Sequence, residues 1–172
     1  CQHSGDGGPA LNAGLGGGLV PSAMNGLAFD SKGNLHLALK ETIRRIDRAT
    51  GIITTVVGTG NQMDCVGIPS GVLAATLRMC RPAGLVFDPD DNLYFTYSLG
   101  LVKVSAATGL TTSLLLGPWR GAAVVRDRSG NLLFAAPNEG HIVQAAPAPT
   151  WRTVVAGSIL RITWLPISAT HR

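Results

Sequence analysis

Glutamate is nearly missing from this chain of 172 residues, where Glu41 and Glu139 are the only two. Charged residues of all kinds reach 14%, well under the roughly 25% usual in soluble domains. A chain this poor in Glu and Lys, with 22 glycines, is a weak helix former. No apolar run is long enough for a membrane-spanning helix. The first residues, Cys1-Gln2-His3-Ser4-Gly5, lack the charged and then apolar pattern of a signal peptide, so none is expected in this chain. There is no Gly-x-x-x-x-Gly-Lys-Ser/Thr sequence, and the glycines from Gly14 to Gly18 precede no helical pattern, which argues against a phosphate cradle. No Gly-x-Ser-x-Gly nucleophile elbow occurs. Trp119, Trp151 and Trp164 are too few and too spread to stack nucleic-acid bases.

What is present is apolar and turn-rich. Apolar residues make up 45%, which excludes a disordered chain and supplies a real core. The net charge of +4 forms no stripe; Arg44, Arg45 and Arg48 are its densest cluster. A nucleic-acid surface needs a block of positive charge, so a nucleic-acid partner is not expected.

An internal repeat decides the architecture. Gly26-Leu27-Ala28-Phe29-Asp30-Ser31-Lys32-Gly33-Asn34-Leu35 returns at an offset of 58 as Gly84-Leu85-Val86-Phe87-Asp88-Pro89-Asp90-Asp91-Asn92-Leu93. The match runs on without a gap through Ala49-Thr50-Gly51 against Ala107-Thr108-Gly109. A weaker third copy begins at Ala123 and carries Asp127, Gly130 and Asn131; its Thr-Gly turn is replaced by Ala146-Pro147-Ala148-Pro149. The second spacing is 39, so the unit is about 40 residues, the length of a four-stranded propeller blade. The pattern predicts strands over 26–29, 35–39, 42–47 and 52–57 in the first copy, with β-branched runs suited to sheet covered on both faces. The expected fold is all-β, with about three four-stranded β-propeller-type blades in an incomplete ring or open arc. Residues 1–25 are read as a connector from a preceding blade, 26–59 as the first blade, and 60–83 as an insert. The second blade is 84–117, a degenerate third is 121–157, and 158–172 is an apolar tail. Leu11-Asn12-Ala13-Gly14-Leu15 parallels Leu73-Ala74-Ala75-Thr76-Leu77 across the two connectors.

The motifs Gly5-Asp6-Gly7-Gly8-Pro9-Ala10, Gly26-Leu27-Ala28-Phe29-Asp30 with Gly33-Asn34-Leu35, and Ala49-Thr50-Gly51-Ile52-Ile53-Thr54-Thr55-Val56-Val57-Gly58-Thr59-Gly60 resemble NHL repeats of the secreted or cell-surface type. In the second connector, Asp64-Cys65-Val66-Gly67-Ile68-Pro69 is read as standing where that family carries its Gly-Asp-Gly-Gly-Pro-Ala motif. Leu39 and Tyr97 stand where it often has Asp, and Ala123 replaces the first glycine in the third copy. The resemblance implies rings of about six blades, an extracellular or cell-surface location, and a propeller face that binds proteins, glycans or RNA. Three blades alone close no ring, so the chain is expected to be part of a larger ring, to self-associate through an open blade edge, or to form an open arc.

The leading expectation is a non-catalytic module for protein or glycan interaction. One alternative is a fragment of a metal-dependent propeller enzyme of the lyase, lactonase or hydrolase kind; a second is an RNA-binding module. No catalytic residue, metal ligand or cofactor is assigned. Asp30, Asp88 and Asp127 recur once per blade; with Gly33, Asn34, Asn92, Gly130 and Asn131 they read as turn residues, the carboxylate accepting amide hydrogen bonds. His3, His36, His141 and His171 are scattered, whereas zinc catalysis needs three converging ligands. Arg44, Arg45 and Lys103 are the candidate binding residues, against the alternative of snorkelling side chains at a blade edge. Cys65 and Cys80 flank the insert and are either a disulfide or two buried thiols.

Overall fold

A computed structural model of the chain describes residues 3–16, 24–60, 67–116, 123–136, 141–145 and 151–154. The described residues hold twelve strands and no α-helix, only two single-turn 3-10 segments. The first sheet is β1 (Met24–Phe29), β2 (Leu35–Leu39), β3 (Ile43–Ile46) and β4 (Ile53–Val57). The second is β5 (Leu85–Phe87), β6 (Leu93–Tyr97), β7 (Gly100–Val104) and β8 (Thr111–Leu116). The third is β9 (Val124–Arg126), β10 (Leu132–Ala136), β11 (His141–Ala145) and β12 (Trp151–Val154). Each sheet is an antiparallel meander in sequence order, which is what short turns between successive strands enforce. The first strands stand side by side, β1 beside β5 and β5 beside β9. These are three propeller-type blades.

Three part-buried carboxylate turns join the first two strands of the blades. Asp30 accepts from the backbone amides of Lys32 and Asn34 and from the Asn34 side chain. Asp88 does the same with Asp90 and Asn92, and Asp127 with Asn131. The asparagine then turns its own oxygen to the far turn of its blade: Asn34 Oδ1 accepts from Arg48 N at 2.9 Å, and Asn92 Oδ1 from Ala106 N at 3.0 Å. One side chain therefore ties both turns at one end of the sheet. The third turn residue lies at φ +78° in Gly33 and +87° in Gly130, and at +60° in Asp91. Gly26 is required for a different reason, since a Cβ there would lie 2.0 Å from the Ala83 carbonyl oxygen.

The main core lies between the first two blades, where Ala38, Ile43 and Val57 meet Leu85, Leu93, Phe95, Tyr97 and Val102. A smaller cluster joins the second blade to the third through Leu101, Val124, Leu132 and Phe134.

The connectors dock on the outer strand of the blade that follows them. Gly7 N donates to Ile53 O and Ile53 N to Gly8 O, so residues 7–10 lie along β4. Gly71 N donates to Thr111 O and Thr111 N to Val72 O, so residues 71–74 lie along β8. The bridges Pro9 to Ile52 and Leu73 to Leu110, and the 3-10 turns Ala10–Asn12 and Ala74–Thr76, fix the correspondence between connectors at an offset of 64. This corrects the sequence alignment of Leu11 with Leu73, which is two residues out of register. It also shows that the motif Gly5–Ala10 corresponds to Pro69-Ser70-Gly71-Val72-Leu73-Ala74, not to Asp64–Pro69. Few side-chain types are shared, so only the backbone pairing reveals the match. The Ala146–Pro149 turn and the 158–172 tail lie outside the described residues.

Candidate functional site

A cleft of about 270 Å³ opens between the first and second blades. Its polar side is built from one face of the first sheet, where Ala28, His36, Arg45 and Thr54 stand opposite one another across the four strands. Phe87 and Asp91 of the second blade close it from the other side.

His36 is buried, and its ring meets Phe87 edge-on at 4.7 Å between centroids. Its Nε2 lies 3.3 Å from Asp30 Oδ2. Burial lowers the His36 pKa below its ordinary 6.5, and Asp30 only partly opposes this. The ring is therefore neutral near pH 7, and the contact is a hydrogen bond from Nε2–H to a carboxylate rather than an ion pair. That leaves Nδ1 as a buried acceptor with no partner among the described residues. Burial pushes Asp30 upward, but the bonds from Asn34 and His36 outweigh it and hold the carboxyl below its usual range. Asp91 bridges back to the first blade, accepting from Ser31 N at 2.8 Å and Ser31 Oγ at 2.5 Å.

The arrangement repeats. At an offset of 58 from Asp30, His36 and Arg45 stand Asp88, Tyr94 and Lys103. Tyr94 donates to Asp88 Oδ2 at 3.1 Å, and Lys103 Nζ sits 5.6 Å from the Tyr94 ring centroid. Burial, with the Asp88 charge, pushes the Tyr94 phenol to about 12, so it stays a donor. Each of the first two blades thus presents a turn aspartate, a ring that donates to it, and a cation beside that ring. The third blade has Asp127, Leu133 and Gln144 in these places and lacks the ring and the cation. This set was missed in the sequence because His36 and Tyr94 differ in kind. The shared signal is a hydrogen-bonding ring six residues after each turn aspartate.

The candidate binding residues separate here. Arg45 and Lys103 are partly exposed beside their rings, Arg45 lining the cleft. Arg44 is corrected: it is wholly buried, on the opposite face of the sheet. Its Nε and Nη2 both donate to Asp6 Oδ1, the Nε at 3.0 Å. Its other donors reach the carbonyls of Gly14 and Ser4 at 3.0 and 3.1 Å. Each of its three nitrogens is engaged in holding the first connector, and the side chain is enclosed, so it presents nothing to a partner. Burial raises Asp6, but the bonds from Thr55 and the Arg44 guanidinium hold it below the ordinary carboxylate value. In the second blade Val102 and Ser70 take the places of Arg44 and Asp6, and Ser70 Oγ still accepts from Ser113 N at 2.9 Å, as Asp6 does from Thr55 N.

Among the described residues no group of three or more His, Cys, Asp or Glu side chains converges. Cys80 is disulfide-bonded. Cys1 and Cys65 lie outside the described residues.

No protein-family model matches the chain, and no curated protein matches it in sequence. Solved structures do match in shape. Virginiamycin B lyase from Staphylococcus aureus aligns over 80% of this chain and 43% of its own, with TM-score 0.55 and 14% identity. A streptogramin B lyase aligns over 82% of this chain and 43% of its own, with TM-score 0.55 and 15% identity. The chain thus spans less than half the length of these structures. At such low identity the likeness concerns the path of the backbone alone, and with three stacked four-stranded meanders it establishes an all-β fold of the β-propeller type.

Proposed function

We propose that the chain is a non-catalytic, NHL-like propeller module that binds a protein or glycan through the cleft between its first two blades. The observation that carries this is the repeated aspartate, ring and cation set. Its acids are tied into turns and its histidine is buried with one ring nitrogen bonded to such an acid, so the set forms a hydrogen-bonded frame beside a cation. Its cations stay at the surface, Arg45 beside an apolar floor that includes Phe87, and that combination suits the polar groups and apolar faces of a sugar or a peptide. The test is an NMR titration of isotope-labelled chain against a panel of neutral and acidic oligosaccharides and acidic peptides. Binding should move the amide signals of Arg45 and Asp91, and Arg45→Ala should weaken it about tenfold or more, the loss of roughly 1.4 kcal/mol. Signals that move only away from the cleft would sink the reading.

An extracellular or cell-surface setting goes with this reading, supported by the disulfide at Cys80, since such bonds persist outside reducing compartments. Cys65 is the proposed partner. The loop of about 16 residues would add on the order of 3 kcal/mol, and peptide mapping without reductant would identify the linked pair.

The likeness to two lyases favours a second reading, part of a metal-dependent propeller enzyme. Equilibrium dialysis of the chain against magnesium and manganese separates the two readings: stoichiometric uptake favours the enzyme.

A further inference from the structure

We propose that the group held in the cleft between the first two blades is a neutral sugar ring, one hydroxyl of which donates to His36 Nδ1 and accepts from Arg45 Nε while its C–H face lies against Phe87. This rests on the cleft being the binding site and names what the cleft selects: a glycan rather than a peptide, and an uncharged unit of it rather than an acidic one.

The hydrogen-bonding groups left unused make the selection. Every residue lining the cleft lies between Asp30 and Ala106, so its walls owe nothing to either end of the chain. Most polar groups along those walls are already engaged. Asp30 accepts from Lys32, Asn34 and His36, Asn34 reaches Arg48, and Asp91 accepts from Ser31. Two groups are not engaged. His36 Nδ1 and Arg45 Nε are buried without a partner, and the two residues stand opposite one another on β2 and β3. With its Nε2–H given to Asp30, the neutral ring can only accept at Nδ1, and a guanidinium Nε–H can only donate. A carboxylate has only acceptors and would set an oxygen against the Nδ1 lone pair. An ammonium has only donors and would face the Arg45 cation. A peptide amide holds its N–H and C=O on opposite sides of a rigid plane, so one amide cannot serve both groups. A hydroxyl donates and accepts at the same atom and completes the pair at once. An enclosed polar group without a partner is costly, so a ligand that completes both is favoured twice over.

Charge, floor and size agree with that selection. Asp30 and Asp91 are matched along the lining by Lys32 and Arg45, so the cleft has no net charge with which to draw an ion. Its floor of Phe87, Leu93 and Val104 suits the C–H face of a pyranose. The volume of about 270 Å³ lies at the lower edge of the roughly 300–1,000 Å³ of small-molecule sites, room for one ring rather than several. Both unpartnered atoms are closed off from solvent, so the hydroxyl enters as the Arg45 side chain swings outward. That side chain is long and partly exposed, whereas the imidazole is pinned by Asp30 and Phe87.

The test is an NMR titration of isotope-labelled chain with the methyl glycosides of glucose, galactose, mannose and N-acetylglucosamine. The methyl glycosides of glucuronic and galacturonic acid, and tetraglutamate, form the acidic arm. At least one neutral glycoside should move the amide signals of Arg45, Phe87 and Asp91, and the acidic ligands should bind no more tightly than it does. His36→Tyr keeps a ring that donates to Asp30, as Tyr94 does to Asp88, but carries carbon where His36 carries Nδ1. It should weaken the glycoside about tenfold, the loss of one hydrogen bond. Acidic ligands that move these signals when no neutral glycoside does would overturn the inference and leave the cleft as the binding site. So would a His36→Tyr chain that binds the glycoside as well as the parent, or silence from every neutral glycoside. Signals that move only away from the cleft would remove the site and the inference together.

Discussion

Arg44 is an unusual residue to enclose completely, and its counterpart in the next blade shows how the protein does without it. Enclosing a guanidinium is tolerated only with a partner and full hydrogen bonding, which Asp6 and two carbonyls provide. Where the carboxylate becomes Ser70, the arginine becomes Val102, and charge leaves on both sides together. Asp6→Ala should therefore cost about 2–3 kcal/mol in urea unfolding, less than the loss of a fully enclosed pair because Asp6 is half exposed. The double change Asp6→Ser with Arg44→Val copies the second blade and should recover most of that loss. An additive pair of effects would show that the two positions are not coupled. His36 makes a second prediction at this scale. Its folded pKa lies below the ordinary 6.5, so the unfolded chain binds the proton more readily. Its contribution is complete above pH 6.5 and declines as pH falls from there toward the folded value. The depressed Asp30 and Asp88 add a separate loss, which begins below their ordinary 3.8 and grows as pH falls through the lower folded values. His36→Tyr, which copies Tyr94, should shrink the first decline to the share that burial of the likewise depressed His3 contributes and leave the second, as read from denaturant midpoints between pH 7 and pH 3.

At the level of the element, the turn joining β5 and β6 also staples the second blade to the first. Asp91 occupies the left-handed region where the other two blades have glycine. Its carboxylate bonds to Ser31 offset that strain by linking turn to turn across the blade interface. Asp91→Gly should relax the backbone but lose both bonds, for a net loss of about 1 kcal/mol in thermal or urea unfolding. Asp91→Asn keeps the left-handed preference and one acceptor, and should fall between. If Asp91→Gly proves more stable than the parent, the bridge to Ser31 is not a stabilising contact. These turns were legible from residues alone, because Asp, Gly and Asn at fixed spacing have few other uses. The strands were legible too: 35–39 agrees to the residue, since Leu35, Leu37 and Leu39 alternate directly after the Gly33-Asn34 turn. The connectors were not. Their pairing with β4 and β8 is made by backbone groups, and a backbone bond leaves no mark on residue type. For the same reason Arg44 resembled a surface cation until its burial against a segment far off in sequence was known. Arg45 and Lys103 were found as candidates, but the rings beside them were not, since a histidine and a tyrosine share a role here without sharing a name.

For the whole molecule, stability is distributed unevenly along the array. In stacked repeats each unit is held mainly by its neighbours. The interface of the first two blades buries Phe95, Tyr97, Leu85, Val102 and their partners, whereas the third blade is tied in by Leu101, Val124, Leu132 and Phe134. The amides of β10 should therefore exchange with deuterium faster than those of β2 and β6, and native-state exchange followed by mass spectrometry reads the difference directly. Uniform protection across the three sheets would mean that the array melts as one. The docking of each connector on the blade after it has a last consequence. Residues 7–10 and 71–74 occupy the free margins of β4 and β8, which would otherwise stand open to pairing with foreign strands. The piece that can be copied, moved or grafted without leaving a sticky rim is thus a sheet together with the segment upstream of it; a sheet excised by itself would carry its liability along.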